Sequence, residues 1–177
     1  LPNGRDVKAL SEHPRPFPMP TPMNKSVLLQ QIIARLSHDL ELLLAAAKSA
    51  HAAATHAENI PDNKYATLAL EASYLAQGQA NRASEIRRAL EAFKQLNGRP
   101  SADGTVRLGA LVELEDEEGA TKVFFIGPVE GGLKITHEER EVLVITPASP
   151  LGRELLGKTI GEGVKSGSSE YEILRIV

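Results

Sequence analysis

The sequence predicts an α+β protein with an N-terminal antiparallel coiled-coil hairpin and a C-terminal, mainly antiparallel β domain that carries one short helix. Two heptad repeats of apolar residues, separated by a short turn, predict the hairpin. Further along, apolar runs that alternate with glycine-containing turns predict the sheet. The expected boundaries are 23–98 for the coiled coil and 99–177 for the β domain, preceded by a proline-rich segment at 1–22.

Composition narrows the classes of function. The chain has 177 residues and a net charge of −3, and this near-neutral balance argues against a general nucleic-acid binder, which usually has a strong basic excess. Cysteine is absent, which excludes disulfides and thiolate metal sites and fits a cytoplasmic protein. No stretch approaches the roughly 20 apolar residues of a membrane span, so no membrane partner is expected.

The segment 1–22 is rich in proline, with Pro14, Pro16, Pro18, Pro20 and Pro22 at alternate positions. Proline removes a backbone donor and clashes with the preceding turn of a helix, so this spacing prevents a helix or a central strand. We therefore expect a disordered or polyproline-like segment without function, either an upstream extension or an expression remnant.

The first heptad seam begins after Met23 and runs for about four repeats. It consists of apolar residues spaced alternately four and three: Leu29, Ile33, Leu36, Leu40, Leu43, Ala47, Ala50, Ala54 and Ala57. Pro61 disfavours helix at the residue before it, so the seam is expected to end in a turn near 59–63.

The second seam follows this turn with the same spacing and ends before Gly98 and Pro100. Its members are Ala69, Ala72, Ala76, Gln79, Ala83, Ile86, Leu90 and Phe93. Two long helices joined by a short turn must run antiparallel, so large residues pair at the base and alanines pair towards the turn. The distal half of the rod is therefore predicted to be slim and weakly stabilised, because alanine buries little apolar area.

The β domain is predicted from four apolar runs, at 112–114, 123–126, 142–145 and 171–176. The acidic segment 116–119 is interpreted as the turn of a β-hairpin, and Gly131 and Gly132 as a second turn. Between the last two strands, residues 150–156 suit one short helix, with Pro150 in its first turn and Gly157 at its end.

Four stretches of this domain resemble the Gre family of bacterial transcription elongation factors: 106–114, Gly127 and Pro128, 149–158, and 171–176. The stretch 149–158 reads SPLGRELLGK and 171–176 reads YEILRI, and together with the coiled coil the resemblance covers 23–177. It implies an FKBP-like fold for the β domain and RNA polymerase as the partner. It further implies that the domain docks at the rim of the secondary channel, with Ser149, Pro150, Leu151 and Gly152 in the docking region.

In the Gre family, the coiled coil enters the secondary channel, and acidic residues at its tip help to hold a second Mg²⁺ in the polymerase active site. The resemblance assigns this role to Glu58 and Asp62, with Asn59 or Asn63 assisting. The position three before Asp62 is Asn59, so the first acid of the family pattern is either displaced to Glu58 or missing, and Pro61 is expected to alter the loop. The alternative is that Asp62 or Asn63 caps the second helix and that Glu58 is a solvated turn residue.

The second helix is basic, with Arg82, Arg87 and Arg88. The resemblance implies that such residues contact the nascent RNA 3′ end, through the polymerase, or the channel wall. A basic helix face is otherwise usually only solvated. His51 and His56 are five residues apart rather than four, so they are expected to be solvated surface residues rather than a metal-binding pair.

The leading hypothesis is an elongation factor whose tip promotes Mg²⁺-dependent cleavage of backtracked RNA. The protein is then a monomer without a cofactor of its own, not an enzyme by itself, and it shares Mg²⁺ with the polymerase. The alternative is a non-catalytic regulator or inhibitor that occupies the secondary channel, and a third class is a structural coiled-coil adaptor unrelated to polymerase. Prolyl isomerase activity is not expected, since a shared fold does not imply a shared function.

Overall fold

A computed structural model of the protein describes residues 23–58, 63–96 and 103–177, without the side chains of residues 57, 58 and 63–66. Two long α-helices come first: α1 spans Lys25–Glu58 and α2 spans Asn63–Lys94. At 1.5 Å per residue, each is about 50 Å long. The proline-rich segment at 1–22 and most of the predicted turn lie outside the described residues.

Helix α1 begins with a polar cap. The side-chain oxygen of Asn24 accepts hydrogen bonds from the backbone amides of Ser26 and Val27, at 3.1 and 3.2 Å. These amides have no partner within the helix, so the cap satisfies two of the donors that every helix start leaves open. The cap therefore determines where α1 starts.

The two predicted heptad seams are confirmed. Every seam residue whose side chain is described is buried or half-buried, including the polar exception Gln79. Burial is greatest at the base, where Leu36 is 1% exposed and Phe93 is 0% exposed. The seam therefore holds the two helices together along the described length of the hairpin.

The C-terminal part forms one six-stranded sheet in the order β3-β4-β2-β1-β6-β5. All neighbouring strands are antiparallel except β2 and β4, which run parallel. The elements are β1 (Leu111–Asp116), β2 (Thr121–Ile126), β3 (Lys134–His137), β4 (Arg140–Ile145), α3 (Pro150–Leu155), β5 (Gly163–Ser166) and β6 (Ser169–Ile176). The prediction of a mainly antiparallel sheet with one short helix is confirmed, although the four-residue strands β3 and β5 were not predicted.

One face of the sheet packs against α3. Its buried residues come from five strands, from α3 and from the segment before β1: Val106, Ala110, Val112, Leu114, Phe124, Ile126, Ile145, Leu151, Leu155, Val164 and Ile173. This core lies entirely within the C-terminal domain.

The opposite face of the sheet packs against the base of the hairpin. Leu28 and Ile32 lie beside the predicted seam of α1, and both are 0% exposed because they face the sheet. The remaining members of this core are Met23, Leu29, Leu36, Ile86, Ala89, Leu90, Phe93, Leu111, Val123, Phe125, Ile135, Val142 and Val144. The hairpin and the sheet therefore share one hydrophobic core.

The turn between β3 and β4 is strained. His137 pairs with Arg140, so Glu138 and Glu139 form a two-residue loop, and both have positive φ, at 49° and 63°. Positive φ at both positions is the signature of a type I′ turn, which favours asparagine and glycine. Glutamate has a Cβ that is crowded in this backbone conformation, so the two glutamates are less favourable here than glycine.

We predict that Glu139→Gly stabilises the fold. A left-handed backbone conformation destabilises a residue with a Cβ by about 1–2 kcal/mol. Glycine avoids this penalty, but its greater freedom in the unfolded chain lowers the stability of the fold by about 0.5–1 kcal/mol. The expected net gain is about 0.5–1 kcal/mol, which corresponds to a rise in Tm of about 1–4 °C. Glu118→Gly is the control, since Glu118 lies in the other hairpin turn without positive φ. An equal or larger rise in the control would contradict the assignment of strain to Glu139.

Candidate functional site

The joint between hairpin and sheet centres on two aromatic rings. Phe93, near the end of α2, stacks on Phe125 of β2 with ring centroids 6.3 Å apart. Gly127 leaves the space for this packing, because a Cβ there would lie 2.7 Å from Cγ1 of Val144 and 3.1 Å from Cζ of Phe93. The direction in which the hairpin leaves the sheet is thus set by close packing at the joint.

Polar contacts from α1 supplement this packing. Lys25 Nζ donates to the backbone carbonyl of Val177 at 3.1 Å, and Nδ1 of His137 lies 2.7 Å from Oε1 of Gln31. Burial lowers the pKa of Lys25, and the positive charge of Arg107 adds to this shift. The other ring nitrogen of His137, Nε2, is buried without a hydrogen-bond partner among the described residues. The contacts of Lys25 with Val177 and of Gln31 with His137 connect the first turns of α1 to the sheet domain.

The predicted basic residues of α2 divide into two kinds. Arg82 is a brace: its guanidinium donates to Glu85 at 2.9 Å and to Glu130, in the loop after β2, at 2.8 Å. Both hydrogen bonds raise the pKa of Arg82. Arg87 and Arg88 are exposed and form no ion pair with any described residue. Of the three, only Arg87 and Arg88 have guanidinium groups wholly open to a partner.

The predicted acidic tip lies at the far end of the hairpin from the sheet. Glu58 is the last residue of α1 and Asn63 is the first residue of α2. Their side chains, and all of Asn59 and Asp62, fall outside the part of the chain that the structure describes. The metal-binding role of these residues therefore remains a prediction.

The predicted docking residues lie at the start of α3. The hydroxyl of Ser149 accepts a hydrogen bond from the Gly152 amide at 3.0 Å and so caps the helix. Leu151 and Gly152 are buried, and a Cβ on Gly152 would lie 2.0 Å from the carbonyl oxygen of Thr146. Leu151 and Gly152 therefore build the domain, and Pro150, which is exposed, is the residue of this group best placed to meet a partner.

The distal half of the hairpin carries exposed apolar side chains that seam analysis does not predict. Their exposed fractions range from 43% to 70%, and they are Leu42, Leu44, Leu68, Leu70, Tyr74 and Leu75. Within 42–56 and 67–81, the only charged residues are Lys48 and Glu71. This half of the rod therefore presents an apolar surface to whatever surrounds it.

The described residues contain no group of three or more side chains that could hold a metal ion. His51 and His56 are exposed, as predicted. None of the helices in the described ranges has the length and apolar character needed to cross a lipid bilayer.

A long helical hairpin joined to a small β domain is the architecture that the resemblance of the sequence to the Gre family implies. Residues 101–177 match the family model for the C-terminal domain of the transcription elongation factors GreA and GreB. The C-terminal domain is therefore a Gre-type domain, of the kind found in transcription elongation factors that act on RNA polymerase. The predicted resemblance is thereby confirmed.

Solved structures similar to the chain include two of the transcription factor Gfh1. A structure of the transcription factor Gfh1 is 22% identical, with a TM-score of 0.35, and the match covers 87% of this chain and 93% of that one. Gfh1 of Thermus aquaticus is 21% identical, with a TM-score of 0.33, covering 81% and 92%. TM-scores this low do not establish a common overall arrangement, so the Gre-type assignment applies to the C-terminal domain that the family model matches. No curated protein matches the chain significantly.

We predict that Phe93→Ala destabilises the hairpin and the sheet together. Removing a fully buried phenylalanine leaves a cavity and costs about 3–5 kcal/mol. The free energy of unfolding, measured by chemical denaturation, should fall by this amount in one transition seen by both far-ultraviolet circular dichroism and tyrosine fluorescence. Tyr74→Ala is the control, because Tyr74 is 70% exposed and its loss should change stability little. Two separate transitions in Phe93→Ala, with the sheet unaffected, would contradict a shared core.

We also predict that Glu130→Ala weakens the brace to α2. The Arg82 side chain is 46% exposed, so solvent screens the pair and the expected loss is about 0.5–1 kcal/mol. A double-mutant cycle with Arg82→Ala should give a coupling energy of this size. Asp39→Ala removes the more exposed Arg35–Asp39 pair within α1 and serves as the comparison. Zero coupling between positions 82 and 130 would show that the brace does not contribute to stability.

Proposed function

We propose that the protein inserts its hairpin into the secondary channel of RNA polymerase, with the β domain on the outer rim, and that its tip promotes Mg²⁺-dependent cleavage of backtracked RNA. The nascent RNA 3′ end is then the substrate, and the protein acts as a stimulating factor rather than as a self-contained enzyme. The Gre-type C-terminal domain supports RNA polymerase as the partner.

The observation that carries this proposal is the length of the hairpin, which among the described residues packs on the sheet only at its base. On α1, the fully buried core shared with the sheet ends at Leu36, and the helix continues to Glu58. These 22 residues correspond to about 33 Å of helix beyond the core. Such a rod delivers its turn to a site well removed from the surface on which the β domain docks.

The proposed chemistry at the tip depends on carboxylate groups that bind Mg²⁺. Mg²⁺ prefers oxygen ligands and keeps several waters, so one or two carboxylates can complete a site whose other ligands come from the polymerase. A second metal in such a site supplies an activated water and stabilises the entering and leaving oxygens. Glu58 and Asp62 are the residues assigned to hold the shared Mg²⁺, with Asn59 or Asn63 positioning RNA or water.

Outside the tip, three further residues are assigned to the complex. Arg87 and Arg88 are open to the RNA or the channel wall, because neither is engaged in an ion pair among the described residues. Pro150 is assigned to docking at the rim. Arg82 is assigned mainly to the internal brace with Glu130, since its guanidinium is already hydrogen-bonded there.

A second candidate function is a non-catalytic regulator that occupies the same channel and inhibits transcription. Asn59 stands where the family pattern has its first acid, and Pro61 lies between Glu58 and Asp62. With a single well-placed carboxylate the tip would bind Mg²⁺ poorly, and the rod would act by occupancy.

The deciding experiment follows cleavage of labelled RNA in a stalled, backtracked polymerase complex at several Mg²⁺ concentrations. We expect the wild-type protein to accelerate RNA shortening. In Glu58→Ala/Asp62→Ala the cleavage rate should be more than about tenfold lower, because mutation of even the outer-shell partners of a metal lowers metal affinity or activity by about 10–100-fold. The double variant should also require more Mg²⁺.

The matched control is Glu41→Ala, which removes an exposed acid of α1 far from the tip and should leave cleavage unchanged. Binding to core polymerase is measured in parallel for each variant. Tight binding without any acceleration would reject the cleavage role and favour the regulator. Absence of binding by wild type would reject both functions.

A further inference from the structure

Arg82 lies at the point where α2 leaves the sheet. Coiled-coil positions repeat every seven residues, so Arg82 is on the same flank of α2 as Ala89, which is buried in the core shared with the sheet. On α2, the member of that core nearest to the tip is Ile86, and Arg82 lies one helical turn beyond it. The contact between Arg82 and Glu130 is therefore made outside the apolar core, on the side of the tip.

The other end of this contact is held firmly by the sheet. Glu130 lies in the segment 127–133, in which the backbone amides of Gly127 and Gly132 donate to carbonyl oxygens of β4, each at 2.8 Å. The carbonyl oxygen of Glu130 itself accepts a hydrogen bond from the Leu133 amide at 3.1 Å. The carboxylate that meets Arg82 is thus carried by a loop whose backbone is attached to the sheet on both sides.

The backbone conformation of Glu130 is unfavourable for its residue type. Its φ is 58°, in the left-handed region that residues with a Cβ rarely adopt. Glycine adopts this region readily, and the next two residues of the loop are glycines. Strained residues persist where the surrounding structure holds them, and they cluster at functional positions. At this position the glutamate supplies a carboxylate that bonds to Arg82 at 2.8 Å and is 15% exposed.

The length of the hairpin amplifies any movement at this contact. Along α2, Arg82 lies about 16 Å from Phe93 at the joint, whereas Asn63 at the start of the helix lies about 45 Å from it. If the hairpin tilts about Phe93, a movement of about 1 Å at Arg82 becomes about 3 Å at Asn63. Misplacement of reacting groups by about 1 Å is enough to slow a reaction strongly.

We propose that the Arg82–Glu130 brace fixes the angle between the hairpin and the sheet, and that Glu130 is a positioning residue for the tip. The packing around Phe93 sets the direction of the hairpin, but it lies at the pivot. The brace is farther from the pivot and therefore limits tilting more effectively for a given strength of contact. The effect of the brace on RNA cleavage rests on the proposed function, whereas its effect on the angle does not.

The distance between two spin labels, measured by double electron–electron resonance, reports this angle. The chain has no cysteine, so Glu71→Cys on the distal half of α2 and Ser168→Cys between β5 and β6 provide specific labelling sites, and both positions are exposed. We expect one narrow distance distribution for the doubly labelled chain. Adding Glu130→Ala should raise the population of distances outside this distribution about two- to fivefold, which corresponds to the strength of an exposed ion pair.

Glu85→Ala is the matched control. Glu85 also accepts a hydrogen bond from Arg82, at 2.9 Å, but it lies on α2 itself and does not connect the helix to the sheet. Its removal should leave the distance distribution unchanged. Unchanged distances in Glu130→Ala, or equal broadening in Glu85→Ala, would overturn the proposal.

The positioning role is then tested in the backtracked polymerase complex. Glu130→Ala should slow RNA shortening about two- to fivefold, in proportion to the population of displaced tips, and should keep the Mg²⁺ requirement of wild type because no metal ligand is removed. An unchanged cleavage rate together with broadened distances would overturn the positioning role of Glu130. A wild-type chain that binds polymerase without accelerating cleavage would reject the proposed cleavage function instead, and the label distances would still decide whether the brace fixes the angle.

Discussion

The packing of the hairpin base on the sheet is the interaction on which the rest of this structure depends. Two helices alone form a thin layer and bury only one seam, whereas the core around Phe93 and Phe125 joins α1, α2 and four strands in one apolar volume. Burial contributes about 25 cal/mol for each Å² of apolar surface, so large rings and branched side chains at the joint dominate the stabilisation. The direction of the rod, and the contacts of Arg82 and Lys25, follow from that joint.

From the joint towards the tip, the seam residues become smaller, so the hairpin becomes thinner and less stable. Leu36 and Ile86 give way to alanines such as Ala50 and Ala69, which are buried but contribute little area. Local opening free energies vary within one protein, and a region with few buried apolar contacts opens most easily. The outer turns of the hairpin should thus exchange their amide hydrogens faster than the base, while the rod keeps a small cross-section.

Local patterns in the sequence predicted the elements that local rules govern. The heptad seams were predictable because a spacing of three and four is unambiguous over 30 residues, and α3 was predictable because Pro150 suits its first turn and Gly157 its end. The strands β3 and β5 have four residues each, which is too short for alternation to stand out. The burial of Leu28 and Ile32, the parallel pairing of β2 with β4, and the engagement of Arg82 by Glu130 arise from contacts between distant segments, which periodicity does not encode. For the tip, the sequence supplied the residue types but no geometry.

The hydrogen bond from Lys25 to Val177 joins residues 152 positions apart. Contacts of this separation form late, because the loop they close must first be ordered, and domains made on the ribosome emerge from the N-terminal end. The helices are therefore synthesised before the strands that cover Leu28 and Ile32 exist. Until Val142 and Val144 have been synthesised, the nascent hairpin has an exposed apolar surface at its base. This surface is a binding site for chaperones that recognise exposed hydrophobic segments.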